Sequence, residues 1–222
     1  MSDIRLQTFT NTLQPAGNGQ WIGAAGDRLG DVFGADLNGL ASRAAAAGRL
    51  VIASNADQND QVTGQTSFAN TTPTFLLNVP SGSCAVPLWF RLYQGGAAAG
   101  GAVTVLAELD DIAAYASGGT EEALFYVRNG AGFTSGCKVY SNATATAGYG
   151  IGIYHKDVVG TDVTPAIGDL IDMHLLHEWK APFVLPLVGP ASFKIFTHAG
   201  TTAPTWYWTI AFLDVPAAMF TN

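Results

Sequence analysis

From Leu50 onward, apolar residues recur at every second position in one run after another. A period of two is the pattern of a β-strand with one buried face, because successive side chains of a strand point to opposite sides. The residues expected to share a buried face are Phe75, Leu77 and Val79; Val86, Leu88, Phe90 and Leu92; Val103, Val105, Ala107 and Leu109; and Trp206, Trp208, Ile210 and Phe212. Turn residues such as Pro80-Ser81-Gly82 and Ser117-Gly118-Gly119 separate the runs.

These runs predict about eight to ten strands with almost no helix between them. Parallel neighbours would need crossover helices, so we expect an all-β chain folded as an antiparallel β-sandwich of jelly-roll type. This domain is predicted to occupy residues 51–222. Residues 1–50 are predicted to form an N-terminal arm with one short helix over 36–50, capped by Asp36 and ended by Gly48.

The loop 94–101 consists almost wholly of glycine and alanine and is predicted to join two long antiparallel strands. A phosphate-binding loop would be followed by Gly-Lys-Ser/Thr and a helix N-terminus, and neither follows here. The loop is therefore interpreted as architectural: its small residues can pack closely against a neighbouring subunit or give flexibility.

Charged residues make up only 12% of the chain, against about 25% in typical soluble domains. The net charge is −7 and the basic residues are scattered, so we expect no nucleic-acid partner, which would need clustered positive charge. No apolar stretch has the roughly 18 residues that a membrane span requires. The N-terminus carries no signal-peptide pattern, so we expect a chain that is made and kept in a cytoplasm or leaves it only by lysis.

The sequence offers no convincing catalytic constellation, and we predict a protein without enzymatic activity, cofactor or metal ion. His174, His177 and Glu178 form the most site-like cluster. On a strand, however, residues three apart face opposite sides, so ordinary sheet histidines are favoured over a zinc site. His155 and His198 are placed in or near turns.

Two acidic pairs and two cysteines complete the candidates for chemistry. Asp110-Asp111 and Glu121-Glu122 are interpreted as solvated turn acids, with glycoside hydrolysis or calcium binding as alternatives. Cys84 and Cys137 are the only cysteines and are expected to be buried as small apolar residues.

Several strands are apolar on both sides, as in residues 206–213. In an antiparallel sandwich only one face meets the core, so the second face is expected to meet another copy of the chain. The residues expected at such contacts are Trp89, Tyr93, Tyr207 and Leu213. Trp206 and Trp208 alternate with Tyr207 and are expected in the core or at an interface rather than in a carbohydrate site.

The stretch CAVPLWFRLYQGGAAAGGAVTVLAELDDIAAYASGGTEEALFYVRNG resembles jelly-roll structural proteins of tailed bacteriophages that decorate or cement capsids. A Pro-Ser-Gly turn leads into an apolar strand, a Gly/Ala loop precedes a long acidic-ended strand, and a tyrosine precedes residues 117–120. The later stretch HEWKAPFVLPLVGPASFKIFTHAGTTAPTWYWTIAFLDVP is similar to the closing strands of such a sandwich. The resemblance covers roughly residues 70–216 and carries no active site.

The resemblance implies a homo-oligomer, commonly a trimer, that binds a major capsid protein or other virion proteins and is located in the virion. A jelly-roll capsid shell protein is a close variant of this interpretation. The alternatives from other classes are a carbohydrate-binding or host-recognition module and a hydrolase whose site is assembled from distant residues. Two flat, exposed aromatic rings in one groove would favour the carbohydrate-binding module.

Overall fold

A computed structural model describes residues 47–55, 60–95, 102–128, 132–148, 150–159, 170–173, 186–200 and 202–219. The predicted helix lies outside the described residues apart from its last four, of which Ala47 and Gly48 form a turn and Leu50 begins the first strand. The cluster of His174, His177 and Glu178 lies outside them as well.

The described residues form fifteen strands and one short 3₁₀ helix. The strands are β1 (Leu50–Ser54), β2 (Val62–Thr63), β3 (Phe75–Val79), β4 (Ser83–Gln94), β5 (Ala102–Asp110), β6 (Tyr115–Ser117), β7 (Thr120–Glu121), β8 (Leu124–Tyr126), β9 (Lys138–Ser141), β10 (Thr144–Ala145), β11 (Ile151–Val159), β12 (Leu170–Met173), β13 (Leu187–Val188), β14 (Ala191–Ala199) and β15 (Thr205–Pro216), and the 3₁₀ helix spans Ala217–Met219.

Two antiparallel sheets contain most of these strands. The first sheet runs in the order β12–β4–β15–β1–β8, with β13 beside β4 and β2 beside β15. The second sheet runs β11–β5–β14–β3–β9–β7, and β10 and β6 form a separate ribbon. The chain passes repeatedly from one sheet to the other, so the eight main strands interleave as β1–β15–β4–β12 against β3–β14–β5–β11. This double Greek key is a jelly roll, and the predicted all-β sandwich is confirmed.

The main core lies between the two sheets and follows the predicted alternation in three of the four strands. Its buried members include Phe75, Leu77 and Val79 from β3, Val103, Val105 and Ala107 from β5, and Trp206, Trp208, Ile210 and Phe212 from β15. Aromatic rings dominate its centre, where Phe75 lies 4.7 Å from Trp208 and 4.8 Å from Phe90 between ring centroids. Of the two locations that the sequence allows for Trp206 and Trp208, the core and an interface, the structure shows the core.

The predicted face of β4 is wrong for half of its length, because a β-bulge interrupts the alternation. Ala211 pairs with Trp89, but the next residue of β15, Phe212, pairs with Pro87, so Leu88 has no partner. One extra residue moves every later side chain to the other face. Phe90 and Leu92 therefore point into the main core, whereas Val86 and Leu88 belong to a separate outer cluster.

Strands β4 and β5, which the glycine-alanine loop connects, do not pair with each other as the sequence predicted. Strand β4 lies between β12 and β15 in the first sheet, and β5 lies between β11 and β14 in the second. The connection therefore crosses from one sheet to the other. Residues 96–101 of the loop lie outside the described residues.

The outer face of the second sheet is covered by other parts of the same chain. A cluster of Leu76, Ala114, Tyr140, Ala143 and Ala145 packs there, with Ile112 against it. Nearby, the ring of Phe68 lies edge-on to the ring of Phe196, with the centroids 5.3 Å apart. The loops before and after the ribbon strands thus bury apolar side chains that the sheet itself leaves outside.

Candidate functional site

The outer face of the first sheet carries a row of apolar side chains that crosses four strands. Trp89 on β4 is paired with Ala211 on β15, Ala211 with Ile52 on β1, and Ile52 with Phe125 on β8. Val51 and Ala53, the neighbours of Ile52 along β1, point into the main core, so the row lies on the opposite face. We call Trp89, Ala211, Ile52 and Phe125 the outer row.

The outer row is open to solvent at its β8 end. Phe125 is 66% exposed, and Val127 beyond it is 53% exposed. Trp89, Ala211 and Ile52 are half-buried. At the β4 end the Arg91 guanidinium lies 5.2 Å from the centre of the Trp89 ring, a cation–π contact that covers one side of that ring.

A pair of tyrosines extends this face beyond Arg91. Tyr93 and Tyr207 are directly paired across β4 and β15, with ring centroids 6.3 Å apart and planes inclined by 32°. The Gln61 amide Nε2 donates a hydrogen bond of 3.0 Å to the Tyr207 hydroxyl. Gly95 allows the Tyr207 ring to lie close, because a Cβ there would come within 2.4 Å of the ring. Three predicted contact residues, Trp89, Tyr93 and Tyr207, therefore share one face.

Leu213, the fourth predicted contact residue, is completely buried within its own chain. It packs with Cys84, Val86 and Val215 in the outer cluster of the first sheet. Leu213 is therefore inaccessible to a second copy, and its place in the predicted interface is a correction. Leu213 does follow the alternation of β15 and faces away from the main core, but the outer cluster of the same chain covers it.

Both cysteines are buried free thiols, as expected. Burial, and secondarily the charge of Asp214, raises the pKa of the Cys84 thiol to about 12. Burial is also the main cause that raises the pKa of the Cys137 thiol, with further contributions from Asp214 and from Cys84. A thiol that stays protonated at neutral pH is a poor nucleophile and a poor metal ligand.

The acidic pair Asp110-Asp111 divides between surface and interior. Asp111 is exposed, as predicted for a turn acid. Asp110 is buried and lies 2.7 Å from the Lys194 ammonium, so its interpretation as a solvated acid is wrong. No sequence signal identified this contact, because Lys194 and Asp110 lie on separate strands and Lys194 is a single charge within an apolar run.

The second acidic pair also divides. Glu121 is exposed and forms a 3.0 Å ion pair with Lys138. Glu122 is half-buried and accepts a 2.6 Å hydrogen bond from the Ser141 hydroxyl, which in turn accepts a 3.0 Å bond from Trp208 Nε1. Burial raises the pKa of Glu122; the Ser141 hydrogen bond lowers it and the charge of Asp60 raises it.

A small cavity lies beside Glu122, where the edges of the two sheets meet. Asp60 reaches it from the segment before β2, whereas Glu122, Ser141 and Asn142 reach it from the second sheet. Its polar lining could hold water or a small polar group.

The sequence missed three members of the outer row, Ile52, Ala211 and Phe125. Ile52 and Phe125 lie in short strands whose neighbours the sequence does not reveal, and the apolar run 124–127, with Glu122 before it and Arg128 after it, was the available signal for Phe125. His155 lies in the middle of β11, so its predicted placement in or near a turn is wrong, whereas His198 lies one residue before the end of β14, near the bend at Gly200.

Among the described residues, no group of three or more His, Cys, Asp or Glu side chains could hold a metal ion. No helix in the described ranges is long and apolar enough to cross a membrane. Comparison with protein families, with curated proteins and with solved structures finds no match for this chain.

Proposed function

We propose that this chain is a non-enzymatic structural protein of a virus particle. It forms a homo-oligomer, with three copies as the expected number, and binds a capsid lattice as a decoration or cement protein. The outer row on the first sheet is the observation that carries the proposal. An apolar row that crosses four strands and ends in a phenylalanine with 66% exposure is typical of a surface that another protein covers.

The fold is compatible with this role without assigning it. Jelly rolls build viral capsid proteins but also lectins and cupins, so the argument has to come from the surface. The resemblance of residues 70–216 to bacteriophage decoration proteins favours the virion among these settings.

A second copy of the chain is the partner that the surface chemistry favours. None of the four side chains of the outer row is ionisable, so covering Ala211, Ile52 and Phe125 removes apolar area from water without burying a charge of the row, whereas Trp89 has the Arg91 guanidinium beside it. Each Å² of apolar surface covered contributes about 25 cal/mol. Because few charges take part, the oligomer is expected to persist between low and high ionic strength.

Light scattering on the purified full chain tests the oligomer. The expected mass is three times the chain mass of 23.1 kDa, with little change as salt is raised. A monodisperse monomer would overturn the assembly part of the proposal, and dissociation on adding salt would show that charge rather than apolar contact holds the copies together.

Two matched substitutions locate the contact. Phe125→Ser removes the most exposed member of the outer row and is expected to shift the oligomer to monomer. Ile151→Ser changes a side chain that is even more exposed, at 76%, but lies on the second sheet, and it should leave the mass unchanged. Equal effects of the two substitutions would contradict an interface on the first sheet.

The virion location needs a separate measurement. Immunogold labelling of intact particles with antibodies against the chain is expected to decorate the capsid surface. Labelling that remains only in the unassembled fraction of the lysate would overturn the location while leaving the oligomer result standing.

The tyrosine pair favours one alternative, a carbohydrate-binding or host-recognition module. Tyr93 is 38% exposed and the half-buried Tyr207 lies beside it, so the pair presents a partly exposed aromatic surface to a sugar. Oligosaccharide titration followed by tyrosine fluorescence distinguishes the two functions. Saturable quenching in the native chain that is lost in Tyr93→Ser would favour the alternative.

A further inference from the structure

Lys194 lies on the outer face of the second sheet yet has no exposed surface. Its neighbours along β14, Phe193 and Ile195, point into the main core, which places the Lys194 side chain on the opposite side. Lysine is almost never fully buried without a partner, because its ammonium loses its hydration. Its surroundings therefore need a chemical explanation.

Two buried carboxylates on the adjacent strand β5 face the lysine. Glu108 is directly paired with Lys194, and Asp110 is paired with Ser192, so the Asp110 carboxylate approaches diagonally. The Lys194 Nζ lies 2.7 Å from Asp110 Oδ2 and 3.3 Å from Glu108 Oε2. Within the described part of the chain these three atoms make no contact with hydrogen-bond geometry, so the nitrogen is close to the carboxyl groups without being held as a donor.

The chain itself shields this group from water. The segment that includes Gly148 passes so close to Asp110 that a Cβ there would lie 3.5 Å from Asp110 Oδ2 and 3.7 Å from Ile112. The ring of Phe196 lies 5.6 Å from the Lys194 Nζ. A lysine amine and a carboxyl group are thus held together in a closed site next to a second carboxyl group.

We propose that Lys194 and Asp110 become joined by an amide bond that forms within the folded chain, and that Glu108 moves the proton that the step requires. This modification is independent of the proposed virion function. It would covalently connect β14 to β5 across the second sheet.

The reaction balances without any other reagent. A proton passes from the Lys194 ammonium to the Asp110 carboxylate, which leaves an amine and a carboxylic acid. The amine nitrogen attacks Asp110 Cγ, and Glu108 accepts a proton from the nitrogen and returns it to the departing hydroxyl. One N–C bond forms, one C–O bond breaks, and one water molecule leaves.

Two physical effects favour the step at this site and not on the surface. Groups held in contact react as if at very high concentration, because the entropy of bringing them together is already lost on folding. An ion pair without solvent also loses the hydration that stabilises separate charges, so conversion to a neutral amide is favourable. The exposed pair of Lys138 and Glu121 has hydration and a regular hydrogen bond, and should not react.

Intact-mass spectrometry of the purified, denatured full chain tests the proposal. The expected mass is lower than the sequence mass by one water molecule, and digestion should yield a branched peptide that links residue 194 to residue 110. The full sequence mass would overturn the proposal. A mass difference of one water molecule that is located in a linear peptide would also overturn the proposal, because it would indicate a cyclised aspartate instead of a cross-link.

Three substitutions assign the roles. Lys194→Met is expected to restore the full mass of the variant, whereas Lys138→Met should retain the missing water. Glu108→Gln keeps both linked residues but removes the proton acceptor, so most of the chains should show the full mass. Complete condensation in Glu108→Gln would overturn the role of Glu108. The peptide map of the native chain remains decisive even if a variant fails to fold.

Discussion

The two sheets of this sandwich differ in how far the chain covers their outer faces. The second sheet is closed by loops of its own chain, which bury Leu76, Tyr140 and even Lys194. The first sheet is closed at one end by the cluster around Leu213, but across its middle strands the outer row stays open and ends in exposed Phe125.

This difference shows that strands with two apolar faces do not by themselves require a partner. The second apolar face of a strand does have to be covered, but loops of the same chain can cover it. What distinguishes an interface is an apolar row that no segment of the described chain covers completely. The outer row meets this criterion, whereas the faces around Leu213 and Lys194 do not.

The largest loss of stability is expected from substitution of Lys194 on the covered outer face of the second sheet. Lys194→Met removes the group that compensates Glu108 and Asp110, and an uncompensated buried charge costs about 3–5 kcal/mol. The free energy of unfolding, measured by urea titration, should fall by this amount at pH 7. If Lys194 is linked to Asp110, the loss has a different cause, because the variant then lacks the amide cross-link and leaves the Asp110 carboxylate buried without its partner.

Lys138→Met provides the matched control for this measurement. Lys138 also pairs with a glutamate, but both side chains are about half exposed, at 53% and 51%. Exposed pairs contribute little, so no measurable change is expected. If the two variants lost stability equally, the second sheet could not be closed in the way described.

A smaller effect is expected at the closed end of the first sheet. Leu213→Ala removes a fully buried side chain, and large-to-small substitutions of this kind reduce the free energy of unfolding by about 2 kcal/mol or more. Because Leu213 is inaccessible, the oligomer mass in light scattering should not change. Urea titration and light scattering on the same sample make both measurements.

Tyr93→Ala is the counterpart on the open part of that sheet. A partly exposed side chain contributes little to the unfolding free energy of one chain, within about 0.5 kcal/mol. The two variants should therefore behave in opposite ways if Tyr93 lies at the interface. If Leu213→Ala lost the oligomer without losing stability, Leu213 would be an interface residue after all.

Much of the fold could be predicted because alternation is local. The buried faces of β3, β5 and β15 follow directly from their period of two. The bulge at Leu88 could not be predicted, because it is defined by the pairing of β4 with β15 and those strands are more than a hundred residues apart. For the same reason the sequence did not show that the chain passes from the first sheet to the second after β4.

The candidate site was only partly predictable for a related reason. Alternation alone assigned Trp89 and Tyr93 to the side of β4 away from Phe90 and Leu92, and the pairing of β4 with β15 then adds Tyr207 to the same face. Ile52 and Phe125 join them only through strand pairing, which a single sequence does not show. The contact of Lys194 with Asp110 depends on register in the same way.

The smallest effect is expected at the junction of the two sheets, which belongs to neither outer face. Glu122→Gln keeps an oxygen that can accept the Ser141 hydrogen bond but removes the carboxylate charge. Because burial raises the pKa of Glu122 in the folded chain, the folded state holds this proton to a higher pH than the unfolded state does. Protonated Glu122 therefore stabilises the folded chain below its unfolded pKa of about 4.5, and this stabilisation is lost as the pH rises through the pKa of Glu122 in the folded chain.

Glu122→Gln should therefore match the native chain near pH 4 and be slightly more stable than it at pH 7, as measured by thermal unfolding at both values. Glu121→Gln is the control, because the adjacent carboxylate is exposed and paired with Lys138 and should show no such gain. An equal gain at both pH values would mean that shape or hydrogen bonding, and not the buried charge beside Asp60, determines the effect. Stability that depends on pH thus distinguishes the polar junction, where the charge of Glu122 determines the effect, from the outer row, where only apolar contact is expected to contribute.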